Sequence, residues 1–270
     1  MIKKITLFLS VLLFASIIGS PVDAKNNNRP STLPADAIEI APGVFSLGKA
    51  KDPKTGKIVD GIAFVHYKKE ETRSNNAKPS KGVTQCYGFI SKGAKWKTEE
   101  NWVINANNNS GLDKNILLNI VRDSIDKWEN AAGNTGVLGQ GELVDGDLGA
   151  GDYYNNANEV EFNDLGSANT IAITTIWGYF SGPVFTREIL EWDMEFNTQF
   201  QWSAGESGVA GKMDFDNIAT HELGHAFGLA DLYTSSCNQE TMFGYAGEGE
   251  TNKRDLNTGD IKGIRELYIL

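Results

Sequence analysis

The sequence has no apolar stretch of the roughly 20 residues that a membrane-spanning helix requires. Its main apolar run, from Ile5 to Ile18, is about 14 residues long, follows Lys3 and Lys4, and is succeeded by the small residue Ala24. This order is typical of a secretory signal peptide, and an uncleaved anchor is the competing interpretation. No cysteine directly follows the run, which disfavours a bacterial lipoprotein. We predict a signal peptide over residues 1–24, a secreted protein and no stable membrane insertion.

Basic residues are scarce in the larger part of the chain. Residues 86–270 carry 12 Lys and Arg against 28 Asp and Glu, whereas residues 25–85 carry 11 against 6. So acidic a region would repel phosphates, which argues against a nucleic-acid partner. The contrast between the two regions indicates either a basic leader that folds against an acidic domain or the ordinary acidic surface of a secreted protein.

Cysteine is also rare, since Cys86 and Cys237 are the only two in the chain. In an exported protein one disulfide between them is the default expectation.

The region after the signal peptide predicts a β-hairpin. Residues 38–67 contain two β-rich runs around the turn sequence KDPKTG, and a polar break follows at residues 68–82. This break is the predicted domain boundary. We therefore expect a leader over residues 25–85, which is a candidate propeptide, and a main domain over residues 86–270.

The main domain mixes helical and β patterns, which predicts an α+β fold. Residues 113–131 repeat apolar side chains at three- and four-residue steps, as a helix requires, and further helices are predicted over 214–228 and from residue 257. Strands are predicted at residues 102–105, 158–162, 169–180 and 188–197. The glycine-rich acidic stretch 139–152 is a candidate calcium site. It lacks EF-hand spacing, however, and a solvated loop is the competing interpretation.

Two of the three histidines, His221 and His225, lie four residues apart in the sequence HELGH. Four residues turn a helix by about 400°, so both rings lie on one face and can bind one zinc ion. Glu222 lies about 100° round the helix, where it can deprotonate a zinc-bound water without being a ligand. A solvated histidine pair is the alternative, and the scarcity of histidine elsewhere disfavours it.

Gly228 and Asp231 extend this pattern. A glycine three residues after the second histidine allows a positive φ, so the chain can leave the helix sharply and return Asp231 to the metal. Zinc accepts a carboxylate oxygen at a distance similar to that of an imidazole nitrogen. The predicted ligands are thus His221, His225 and Asp231, and the carboxylate makes the site one unit less positive than three histidines would.

The spacing His221-Glu222-x-x-His225-x-x-Gly228-x-x-Asp231 resembles the extended zinc motif of the metzincin metallopeptidases, and ETMFGY at residues 240–245 resembles their Met-turn. The sequences ATHELGHAFGL and DLNTGDIKGIRELY are similar to the matrixin branch. Matrixins carry histidine where this chain has Asp231, and an aspartate at this position is familiar from the snapalysin-type metzincins. The resemblance implies a zincin fold with a mixed twisted sheet, a backing helix, an active-site helix and a C-terminal helix. It also implies that Met242 forms a floor under the zinc, and that an edge strand, for which residues 169–180 are the candidate, binds extended peptides.

This resemblance opens a second interpretation of Cys86. Matrixins keep a latency cysteine at about this position, and a thiolate can occupy an open zinc site, but GVTQCYGF is unlike the matrixin switch motif. The disulfide with Cys237 is therefore preferred.

We expect a monomeric secreted zinc endopeptidase that acts on proteins or peptides. The alternative is a non-catalytic zincin-fold module that holds zinc or a surface partner, and the presence of Glu222 favours the enzyme.

Overall fold

The computed structural model describes residues 29–69, 85–205 and 207–269, so the predicted signal peptide lies outside the described residues. Within these ranges nine strands form one sheet in the order β1-β2-β3-β7-β8-β6-β4-β5, with β11 paired to β3, and β9 pairs with β10 separately. The strands are β1 (Ile38–Ala41), β2 (Val44–Lys51), β3 (Ile58–Lys68), β4 (Val103–Asn105), β5 (Glu142–Leu143), β6 (Glu159–Asn163), β7 (Thr170–Tyr179), β8 (Glu188–Asn197), β9 (Trp202–Ser203), β10 (Met213–Asp214) and β11 (Tyr245–Ala246). The helices are α1 (Lys114–Ala131), α2 (Phe215–Ala226) and α3 (Thr258–Tyr268). No helix of the described ranges combines the length and apolarity needed to cross a membrane.

The predicted α+β fold is confirmed, and α1 and α2 pack together at its centre. The apolar positions that predicted α1 are buried, and its Trp128 indole donates a hydrogen bond of 2.8 Å to the carbonyl of Thr220 on α2. The helix α2 in turn contacts β7 and β8. This layering fixes α2 against the sheet, as an active-site helix requires.

The predicted hairpin is present as β2 and β3, and its turn follows the sequence signals. The side chain of Asp52 accepts the amide of Lys54 at 2.8 Å, and Gly56 has a φ of 71°. The hairpin does not stand apart from the main domain. Instead, β3 pairs antiparallel with β7 from Asp60↔Gly178 to Tyr67↔Thr170, so the leader continues the sheet of the main domain.

The expectation that residues 169–180 form an edge strand is therefore wrong for this structure. β7 pairs with β8 on one side and with β3 on the other. An unpaired strand edge offers a row of N–H and C=O groups that any extended segment can satisfy. Here the chain's own leader provides that segment.

Candidate metal centre

The helix α2 presents both predicted histidine ligands from a fully buried face. It begins after Asp214, whose side chain accepts the amide of Asn217 at 3.0 Å, a standard N-terminal cap. His221 and His225 are 0% and 1% exposed. Gly228 has a φ of 101°, as predicted, and a side chain there would meet the carbonyl oxygen of Ala94.

Backbone carbonyls fix the orientation of the two imidazoles. His221 Nδ1 lies 2.6 Å from the carbonyl oxygen of Thr241, and His225 Nδ1 lies 2.9 Å from that of Leu229. A carbonyl can only accept, so each Nδ1 carries the proton and each neutral ring directs the Nε2 lone pair away from that carbonyl. Such carbonyl partners are usual behind metal-binding histidines.

The two lone pairs meet the carboxylate of Asp231. His221 Nε2 lies 3.3 Å and His225 Nε2 lies 3.5 Å from Asp231 Oδ1, and the side chain of Asp231 is 3% exposed. None of these three buried atoms has a hydrogen-bond donor. Three acceptors in such proximity repel one another unless a cation lies between them.

The spacing of these atoms fits zinc. Ligands at about 2.0–2.1 Å from a tetrahedral zinc ion are separated by about 3.3 Å, close to the two distances measured here. Among the described residues, the groups able to hold a metal are this triad and an overlapping cluster of His66, His221 and Glu222. The residues present therefore fit one zinc ion, with nitrogen and oxygen donors that suit it.

Glu222 lies beside the triad and is fully buried. Burial raises its pKa to about 7, although the electrostatic interaction with His225 and a hydrogen bond from Thr174 act in the opposite direction. The Thr174 hydroxyl on β7 donates to Glu222 Oε2 at 2.6 Å, which fixes the plane of the carboxylate. The carboxylate is thus held within reach of the metal position without belonging to the triad.

The leader contributes two further side chains that the sequence did not predict. His66 Nδ1 lies 2.9 Å from Glu222 Oε1, and the His66 ring lies 4.1 Å from that of His221. Phe64 stacks on His225 at 4.1 Å with an interplanar angle of 15°. The sequence did contain a signal for His66, because it is the third of only three histidines in the chain.

Met242 lies against α2 at Gly224, between the two histidines. It is 1% exposed, and a side chain at Gly224 would meet its sulfur atom. Asp260 on α3 holds this turn in place, since its carboxylate accepts the amides of Thr241 at 2.7 Å and of Met242 at 3.1 Å. The role of Met242 as a floor beneath the metal stays a prediction.

The two cysteines form a disulfide, Cys86–Cys237. No free cysteine remains, so no thiol is available to bind a metal in this structure. The bridge ties the start of the main domain to the loop that precedes the Met-turn, as the preferred interpretation predicted.

The acidic loop 139–152 lies against β6 and β8. Glu161 accepts the amides of Leu148 at 3.2 Å and Ala150 at 2.8 Å, and Asp193 accepts that of Gly151 at 3.2 Å. These carboxylates satisfy the backbone of the loop. Calcium binding there stays a prediction.

Residues 95–269 match the family model described as Matrixin. Matrilysin of Homo sapiens is 36% identical over 77 residues, which cover 28% of this chain and 26% of that protein. Matrilysin of Felis catus is 36% identical over 76 residues, 28% of this chain and 27% of that protein. The aligned stretch thus spans about a quarter of each of these relatives.

Proposed function

The chain belongs to the matrixin family of metzincin metalloproteases, and from this premise we propose that it is a secreted zinc endopeptidase with a carboxylate third ligand. The proposed ligands are His221, His225 and Asp231, the last of the kind that snapalysin-type metzincins use. The observation that carries the proposal is the convergence of three buried acceptor atoms that have no donor and are spaced for tetrahedral zinc.

The proposed chemistry is hydrolysis of a peptide bond. Bound to the triad, zinc would supply a Lewis acid that polarises the scissile carbonyl and lowers the pKa of water, so that a hydroxide nucleophile is available near neutral pH. Glu222 takes the proton of the attacking water and delivers it to the leaving amine. The Thr174 hydroxyl keeps one carboxylate oxygen of Glu222 fixed, so the other oxygen carries the proton.

The domain organisation is part of the proposal. We assign residues 86–270 to the catalytic domain, which agrees with the family match from residue 95 to residue 269, and residues 25–85 to a leader. Export is supported by the apolar run with its basic start and by the Cys86–Cys237 disulfide, a bond characteristic of oxidising compartments. Proteins or peptides are the proposed substrates.

The test compares Glu222→Ala with the unchanged chain. Zinc per chain is measured by elemental analysis, and cleavage is followed with casein and a quenched fluorescent peptide, with and without chelator. We expect one zinc per chain in both proteins, weak chelator-sensitive cleavage by the unchanged chain that increases when the leader is displaced as described below, and no cleavage by the variant. Cleavage in the Glu222→Ala variant would contradict the assigned base. Wild-type zinc binding without cleavage, after the leader has been displaced as described below, would favour the non-catalytic module.

A further inference from the structure

Strand β3 of the leader occupies the groove that borders the metal centre. It pairs with β7 along one edge, and its last two residues pair parallel with β11, which follows the Met-turn, at Tyr67↔Tyr245 and Lys68↔Ala246. The end of β3 is therefore enclosed between two strands of the main domain. An extended substrate that added to β7 would need this same position.

The side chains of β3 cover the catalytic groups directly. Alternate residues of a strand point to the same face, and on the face towards α2 these are Phe64 and His66. Phe64 stacks on the ring of His225, and His66 lies over His221 with its Nδ1 2.9 Å from Glu222 Oε1. Both residues are 2% exposed, and they leave Glu222 wholly buried.

The opposite face of β3 attaches the leader to the sheet. Ala63 and Val65 pack with Phe45 of β2 and with Leu165 and Ile173 of the main domain. This apolar packing retains the strand in the groove without a thiolate bond from the leader to the metal. The one other means of retention predicted from the sequence, a thiolate from Cys86, is excluded in this structure by the disulfide.

The buried Lys253 also connects β3 to the groove wall. Its ammonium group donates to the carbonyls of Phe243 at 2.5 Å and Tyr245 at 2.7 Å, and lies 3.5 Å from His66 Nε2. It thereby fixes the segment that lines the groove opposite β7. The end of β3 is therefore held by β7 along one edge and by β11 along the other.

The family match begins at residue 95, so β3 lies outside the residues that match the Matrixin model. We propose that β3 is an intramolecular inhibitor: it fills the substrate groove as an added strand and uses His66 to occupy the catalytic carboxylate. This inference rests on the proposed function and specifies the regulation of that site. Proteolysis requires the leader to leave the groove.

Tethering sets the size of the effect. A segment on a short linker competes at an effective concentration of about 1 mM. A substrate of equal intrinsic affinity at about 10 µM is at a roughly hundredfold lower concentration, so its occupancy of the groove falls by about that factor. Removing the two side chains that contact the site weakens the occupant without touching β7, β11 or the ligands. The access of peptides to the groove should then increase.

The test uses the full chain, confirmed uncut by intact mass, and compares wild type with His66→Ala and with Phe64→Ala/His66→Ala. Val59→Ala is the matched control, because Val59 is buried in the same strand but packs on Tyr154 and Trp177, away from the triad. Two quantities are measured: cleavage of a quenched peptide per bound zinc, and binding of a fluorescent peptide hydroxamate, a zinc-chelating probe, by polarisation.

We expect the double variant to gain about tenfold or more in both quantities, as partial loss of a tethered competitor predicts, and the control to change little. A gain cannot arise from unfolding, and the milder His66→Ala carries the test if the double variant does not fold. Equal probe binding by wild type and the folded variants, at any level, overturns the inference. Increased probe binding without cleavage in any variant would instead support inhibition by β3 and refute the peptidase assignment.

Discussion

Gly224, the second of the two residues between Glu222 and His225, offers a test of the packing beneath the metal centre. A methyl group at this position would lie 2.1 Å from the sulfur of Met242, 3.0 Å from its terminal carbon and 2.9 Å from a ring atom of Trp128. Both neighbours are essentially inaccessible to solvent, at 1% and 0% exposure. Gly224→Ala therefore forces one of them to move.

Two opposing effects decide the sign. Alanine is favoured over glycine in a helix interior by about 1 kcal/mol. Overpacking of a dense core costs about 1–3 kcal/mol, and contact with an indole that cannot move places this site in the upper part of that range. We expect a net loss of about 1 kcal/mol in the free energy of unfolding and a fall of about 2–4 °C in Tm for a domain of this size.

The assay is urea unfolding of the metal-free protein, followed by tryptophan fluorescence, as a double-mutant cycle with Met242→Ala. Removing the thioether makes room for the new methyl group, so the two substitutions should couple favourably by about 1–2 kcal/mol. A Gly224→Ala midpoint equal to or above that of wild type, or a coupling energy of zero, would refute the packing argument.

Three further predictions concern the disulfide, the buried glutamates of β8 and the proposed third ligand. The disulfide between Cys86 and Cys237 spans 151 residues, so chain entropy predicts that replacing both cysteines by alanine lowers the free energy of unfolding by about 5 kcal/mol. Thiol titration of wild type in denaturant should find no reactive thiol, and two reactive thiols would contradict the disulfide. Burial raises the pKa of Glu191 and of Glu195 to about 8, from 4.5, so the folded state retains protons that the unfolded state has released. The free energy of unfolding should accordingly fall as pH rises from about 5 to about 8, and Glu→Gln at either position should flatten that curve; an unchanged slope would argue against it. Asp231→His would make the metal site one unit more positive, so the pH–rate optimum should move downward, and a profile that matched or lay above wild type would count against a carboxylate ligand.

Local sequence determined most of the candidate metal centre. The four-residue interval between His221 and His225 places both rings on one helix face, and Asp214 and Gly228 define where that helix begins and where the chain turns away from it. Asp231 follows within six residues of the second histidine, so backbone geometry alone can bring it back. These features depend on neighbours along the chain, and the sequence therefore carried enough information to predict them.

Tertiary structure decided which groups surround that centre. His66 meets Glu222 across 156 residues, and no local pattern distinguishes a histidine that reaches a distant helix from one that faces solvent. In the same way, the composition of β7 predicted a strand but not its partner. Backbone N–H and C=O groups are the same in every strand, so the choice between a free edge and pairing with β3 depends on the packing of Ala63 and Val65 against the far side of the sheet.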